Sequence, residues 1–444
     1  MQTLINAVDK HRQMILDAER YIWKHPETGY RETNTSRYME EKFEEMGYVL
    51  TRAGNIPGFY TVLETGRPGP EILILGELDS LICPNHPESD SKTGYIHACG
   101  HHAQCAALLG IAAALKEPGA CDNLCGRIRL CAVPAEELIE IGYRSELKKN
   151  GIIKYFGGKC EFLYRGYFDG VDIAFMIHSS SAFGTQSGAV GCIAKTVHYK
   201  GISAHAGGNP GAGINALYAA SQGLSAANAI RETFAENDII RFHPIITHGG
   251  EAVNAIPELV TIESYVRGVS FEAIQKANKK INRALCGGAL SLGANVEIID
   301  MPGYAPLKND ENMIQLTKDA ADLAIPEEGF YISPNPSSGS TDMGELCGLM
   351  PVIHPYSAGT RGSAHSADYY IADPEKACVK SAKLQLGMLY LLLKNDAKRA
   401  KEIIEEFQPQ FNSKEEYFDY IDTLFSEGDR ITYNTDDTAT IQLG

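Results

Sequence analysis

Six side chains that can bind a transition metal or move a proton lie along this chain: Cys99 and His101 in HACGHHAQC, Glu136 and Glu137 in VPAEE, His178 in MIHSS and His365 in SAHSADYY. The successive gaps along the series Cys99, His101, Glu137, His178 and His365 are 2, 36, 41 and 187 residues. A small zinc finger takes its ligands from tight pairs, so this spacing excludes one. It fits an enzyme whose sheet gathers ligands from different strand ends. Thiolate, imidazole and carboxylate together suit zinc, manganese or cobalt and do not suit calcium or magnesium. An adjacent Glu-Glu pair allows a division of labour. One carboxylate holds a metal, and its neighbour takes the proton of a water that the metal has acidified. Taken singly, a Cys-Gly-His loop, a Glu-Glu step and a strand-end histidine are all common structural features; their order along the chain carries the weight.

The elements that would position these residues can be read around them. EILILGELDS starts as a short continuous apolar run and ends in small and acidic residues, as a buried strand of an α/β sheet does. HACGHHAQCAALLGIAAALKE predicts a loop running into an Ala/Leu-rich helix. GRIRLCAVPAEEL predicts a strand stopped by Pro134, and VDIAFMIHSS a third strand ending in His178. Two helices are expected in the first 50 residues. One runs over Ile5, Val8, Met14, Ile15, Ala18 and Ile22, the other over TSRYMEEKFEEMGY to Gly47, with the HPETGY break between them.

Past Gly188 the pattern changes to antiparallel strands and two helices, one over GINALYAASQGLSAANAIRETF and one over Phe271 to Cys286. The chain therefore reads as an α/β protein. A mixed, mainly parallel sheet flanked by helices spans residues 1–188 and resumes over 304–444, interrupted by an inserted α+β domain over 189–303. A helix is expected over Pro374 to Lys394, and a charged, helical C-terminal extension follows it.

Composition narrows the function. The 444 residues carry a net charge of −16, which argues against a nucleic-acid partner. No apolar run approaches the roughly 18 residues of a membrane span, and the amphipathic start does not resemble a secretory signal. Eleven scattered cysteines then fit reduced thiols in a cytoplasm. A thiol redox role for Cys99 and Cys105 is the weaker reading, because the chain has no Cys-x-x-Cys.

The stretches HPETGYRE, GELDS, HACGHHA, VPAEE, IHSS, AHAGGNPGAGINAL, VNAIP, GSTDMGE and SAHSADYY together resemble the aminoacylase and carboxypeptidase family of dinuclear metallohydrolases. The nearest branch is that of hippurate hydrolases, indole-acetyl-amino-acid hydrolases and p-aminobenzoyl-glutamate hydrolase. The resemblance implies two divalent metal ions, zinc or manganese, with Cys99 bridging them and His101, Glu137, His178 and His365 completing the sites. It implies Glu136 as general base and then acid, and Asp79 as a carboxylate orienting the site from behind.

The same resemblance makes the inserted domain a lid through which a homodimer forms. There His205 would reach the oxyanion, Asn254 and Arg267 would hold the substrate carboxylate, and Gly339 and Ser340 would belong to a substrate-side loop. The implied activity is hydrolysis of the amide bond of a small N-acyl or N-aroyl amino acid or a dipeptide-like substrate. Two departures stand out: the branch has Asp where this chain has His102, and His where it has Gln104. They motivate an alternative, a catalytically silent ligand-binding protein that keeps the fold. Glu77 stands where sister branches place a metal-binding histidine.

Overall fold

Glu71–Glu77 is buried along its whole length, as expected of a parallel strand covered on both faces. In the computed structural model, which describes residues 1–443, it lies inside a six-stranded sheet. The order is Thr51–Arg52, Phe59–Glu64, Arg127–Val133, Glu71–Glu77, Ile173–Phe175 and Val352–Ile353. The last four strands run parallel to one another, and the first two pair antiparallel at one edge. The helix His101–Leu115 is apolar nearly all round and buried at every position. It packs between the sheet and the helix Arg12–Trp23, in a core that also holds Ile72, Ile74, Ile128, Leu130 and Leu389. Glu77, Glu136 and His354 all stand at or just beyond the carboxyl ends of parallel strands, where open α/β sheets place their sites.

The chain forms two compact units. The first comprises Met1–Gly188, Lys308–Ser337 and Asp342–Lys414; the second comprises Ala189–Leu307, Ser338–Thr341 and Glu415–Gly444. The second unit is an antiparallel sheet in which Gly191–Lys200 lies between Leu259–Gly268 and Asn295–Pro302. Helices Ala216–Ala229 and Phe271–Leu290 pack together on it. They approach so closely that a Cβ on Gly288 would stand 2.2 Å from the Gly223 nitrogen. Buried Lys195 is held there by Asp300 and by Asn282 Oδ1 at 2.6 Å, and Asn278 Nδ2 donates to Asp300 Oδ2 at 2.8 Å.

The structure differs from the sequence expectations in four places. The first helix is two, Gln2–Lys10 and Arg12–Trp23, because His11 leaves the helical geometry at φ −96° and ψ 8°. The strand expected to end at His178 is split. Ile173–Phe175 belongs to the six-stranded sheet, and His178–Ser179 to a separate four-stranded sheet. Its partner segment is broken in the same place, at Pro355, which has no N–H to continue a ladder. The helix expected from Pro374 starts as a π-turn over Glu375–Lys380 and continues in Ser381–Glu406, with left-handed residues at Asn395–Ala397.

The C-terminal segment is helical only over Lys414–Asp422. Beyond it, Ser426–Asp429 pairs antiparallel with Asn295–Pro302, and Ile431–Tyr433 pairs with Ala439–Ile441. The segment thus groups with residues 189–307, because its backbone finds an open sheet edge there. None of the eleven cysteines is in a disulfide. No helix among the described residues is long and apolar enough to cross a membrane.

Candidate metal centre

The metal loop turns at Gly100, whose φ of +101° favours glycine. A Cβ there would stand 1.9 Å from Ser179 Oγ and 2.4 Å from Tyr369 Oη, two hydroxyls that bond each other at 2.9 Å. Glycine therefore lets Cys99 and His101 lie on either side of one tight turn. Gly100→Ala is expected to cost about 1–3 kcal/mol and to weaken metal retention, both measurable by denaturation and chelator competition.

Five sequence-predicted residues converge here in two groups that share Cys99. The potential ligand atoms of Cys99, His101 and His178 lie within 4.8 Å of one another, and so do those of Cys99, Glu137 and His365. Cys99 Sγ is 3.4 Å from His178 Nε2, and His365 Nε2 is 3.1 Å from Glu137 Oε1. The His365 amide donates to Ala98 O at 2.8 Å, which ties the late loop to the metal loop.

Tautomers are set from behind. His178 Nδ1 lies 2.9 Å from Ser179 O and donates to it, leaving Nε2 to face Cys99. His101 Nδ1 donates to Asp79, 3.0 Å from its carbonyl and 3.1 Å from Oδ1. The same carboxylate accepts from the Glu137 amide at 2.7 Å. Fully buried Asp79 therefore aims one imidazole and fixes one carboxylate's backbone at once.

The electrostatics draw Cys99 and Glu137 toward their anionic, metal-binding forms. Burial and the Glu137 charge push the Cys99 thiol up, but His178 and His101 outweigh them and bring it to about 6. Burial raises the Glu137 carboxyl, yet His365 holds it at about 2. Burial lowers His365, and its bonds to Cys99 and Glu137 overcome this to reach about 11. His101 Nε2 is buried without a well-formed hydrogen bond, with Glu77 Oε2 3.2 Å away. A soft thiolate, imidazoles and a carboxylate clustered around that nitrogen fit divalent transition-metal ions.

Glu136 joins a third group with Glu77 and His101, its Oε2 3.9 Å from His101 Nε2. Burial, then the charges of Glu77, Glu137 and Asp342, raise its carboxyl well above the ordinary range.

Other predicted residues lie in the second unit. His205 is exposed, and its Nδ1 accepts from the Gly207 and Gly208 amides at 3.2 and 2.9 Å, so Nε2 carries the proton. Arg267 Nη1 donates to Ser340 Oγ at 3.2 Å, while its Nε is buried without a partner. The exposed Asn254 gives its carbonyl to the Ala206 amide at 2.9 Å, and Gly339 gives its own to Val190 at 3.2 Å.

Sequence reasoning missed a buried charge network. Lys159 Nζ donates to both Glu77 and Asp342 and is wholly buried. Gln104 Nε2 donates to Glu77 Oε2 at 2.8 Å, and Gln104 Oε1 accepts from the Glu77 amide at 3.1 Å. The available signal was a lone lysine after Gly157 and Gly158, in a helix whose other positions through Leu163 are buried. Of the two departures, Gln104 thus belongs with Glu77. His102 Nε2 lies 3.2 Å from buried Glu19, behind the metal loop.

Residues 73–390 match the profile of Peptidase family M20/M25/M40. The Xaa-Arg dipeptidase of Mus musculus is 27% identical over 399 residues, 87% of this chain and 84% of the relative. The N-acetyl-L-cysteine deacetylase of Bacillus subtilis is 28% identical over 353 residues, 76% of this chain and 78% of the relative. A solved Bacillus subtilis protein described as a dinuclear metal binding peptidase from the M20 family superposes with a TM-score of 0.65. It does so at 21% identity, covering 87% of this chain and 99% of that one, and the likeness speaks to the fold.

Proposed function

We propose, because this chain belongs to Peptidase family M20/M25/M40, that it hydrolyses the linear amide bond of N-acyl or N-aroyl amino acids or of dipeptide-like substrates. The observation that carries the reading is the pair of ligand groups sharing Cys99, with the Glu136 carboxylate beside them. Cys99, Glu137 and His365 would hold one divalent ion and Cys99, His101 and His178 the other, zinc or manganese in each case. When bound, the ions polarise the amide carbonyl and acidify a water.

Glu136 takes the water proton on a carboxylate oxygen and returns it to the departing nitrogen. Its environment suits the exchange, because a raised carboxyl holds a proton better than an exposed one. Asp79 keeps His101 and the Glu137 backbone aligned. In the second unit, His205 Nε2–H is the donor for the oxyanion, a role whose loss commonly costs about 10²–10³ in rate. Arg267 and Asn254 hold the substrate carboxylate, for which the planar guanidinium fork is suited, and Gly339 and Ser340 border the same subsite. The second unit would also carry a homodimer contact, and the enzyme would work in the cytoplasm on a small molecule.

The relatives named above, a dipeptidase and an N-acetyl amino acid deacetylase, support this substrate range. The silent alternative is not favoured, because these relatives carry the names of amide-cleaving enzymes. The test is elemental analysis of the purified chain, paired with a panel of N-acyl amino acids and dipeptides. Chelation is expected to remove at least about 99% of turnover, and zinc or manganese to restore it. Undiminished cleavage by metal-free protein, or no cleavage of any panel member by metal-loaded protein, would reject the reading.

A further inference from the structure

Arg144 is wholly buried, and among the described residues no carboxylate lies within ion-pair distance of its guanidinium. Such a cation is costly to hold in a protein interior. Its Nη donors go instead to peptide carbonyls, while Nε has no hydrogen-bond partner: Nη1 donates to Phe156 O at 2.6 Å and to Ala135 O at 3.3 Å, and Nη2 donates to Glu137 O. Ala135 and Glu137 flank Glu136. The turn they form is unusual, because Ala135 has a φ of +59°, in the left-handed region that alanine rarely adopts.

The turn is also gripped on its amide side. The Ala135 amide donates to Glu32 Oε1 at 2.7 Å, and the Glu137 amide donates to Asp79 Oδ2 at 2.7 Å. Carboxylates hold its N–H groups and one guanidinium holds its carbonyls. The HPETGYRE loop closes over the guanidinium. A Cβ on Gly29 would stand 2.4 Å from Arg144 Nη2, and the Tyr30 ring lies 5.6 Å from the guanidinium carbon.

We propose that Arg144 is a positioning residue for amide hydrolysis: its planar fork locks the Ala135–Glu137 turn and so aims the Glu136 and Glu137 carboxylates together. The inference rests on the roles proposed for those two glutamates. Lysine cannot substitute, since a point ammonium on a flexible stem does not reproduce a rigid fork that spans three carbonyls.

Arg144→Lys and Arg144→Met are to be made in the full chain and compared with the parent by circular dichroism, thermal melting, zinc affinity from chelator competition, and kcat and KM. Both variants are expected to lose about tenfold or more in zinc affinity, the scale seen when a ligand's supporting partner is removed. In zinc-saturated protein kcat is expected to fall while KM changes little. Combining either variant with Glu136→Gln should give a smaller kcat loss than the product of the two single losses, because the two residues act through one group.

A folded variant with a lowered melting temperature but parental zinc affinity and kcat would reduce Arg144 to a stability role and overturn the proposal. The lysine variant keeps charge and bulk, so it answers the question should the methionine variant fail to fold. Zinc affinity needs no turnover. It therefore decides the inference even if the parent binds zinc and cleaves no panel substrate, the outcome that rejects the proposed reaction.

Discussion

Turnover by the Glu136→Gln protein is expected to fall by about 10²–10⁴-fold, the range that general acid-base groups supply, with metal content equal to the parent's. Glutamine keeps the shape and the neutral hydrogen-bonding capacity of a protonated glutamate, so the 6% exposed site stays packed. What it loses is the capacity to accept a proton and hand it on. Glu137 provides the control one residue away. Its carboxylate faces His365 and Cys99, so Glu137→Gln is expected to lose metal first and activity as a consequence. Paired metal analysis and steady-state kinetics separate the two outcomes. A Glu136→Gln protein with parental turnover and full metal would take Glu136 out of the proton transfer.

Lys159→Met is expected to destabilise the first unit by about 3–5 kcal/mol, the cost of removing one partner from a buried ion pair. The lysine is wholly buried, as are both carboxylates it bonds, and its own amide donates to Asp342 Oδ2 at 2.9 Å. Burial alone would lower the Lys159 ammonium, but Asp342 and Glu77 raise it well above its ordinary value. Burial alone would raise the Glu77 carboxyl, and Lys159 and then His101 draw it far down. Methionine fills similar space and leaves two carboxylates without a counter-charge. Trp23, the only tryptophan, is buried in the same unit and can report its urea transition by fluorescence. Adding Asp342→Asn is expected to restore part of the loss. An unshifted midpoint in Lys159→Met would mean that the ammonium holds nothing together.

These two residues mark what the sequence disclosed and what it hid. Glu136 was legible because its type, its neighbour and the strand ahead of it all lie within a few residues. Cys99 and His101 were legible for the same reason, through Gly100. Lys159 was not, because its partners stand 82 residues before it and 183 after it. No local pattern distinguishes a lysine that snorkels to solvent from one sealed between two acids. Arg144 was hidden in the same way, since its partners are main-chain carbonyls that a sequence does not display. The parallel strands were readable from continuous apolar runs, whereas the split at His178 depends on Pro355, a residue far along the chain. The strand Ser426–Asp429 carries almost no apolar alternation, and only an available edge explains it.

That late strand changes how the second unit meets other molecules. Without it, the boundary of the sheet would be the eight residues of Asn295–Pro302, with buried Val296 and Ile298 alternating along a full row of amide and carbonyl groups. Such a row is a template on which foreign strands can assemble. The chain covers it with four residues of its own, Ser-Glu-Gly-Asp, too short and too acidic to recruit a successor. A protein cut ahead of Ser426 would carry a sticky flank into a crowded solution, and aggregation rather than lost chemistry would be its first symptom.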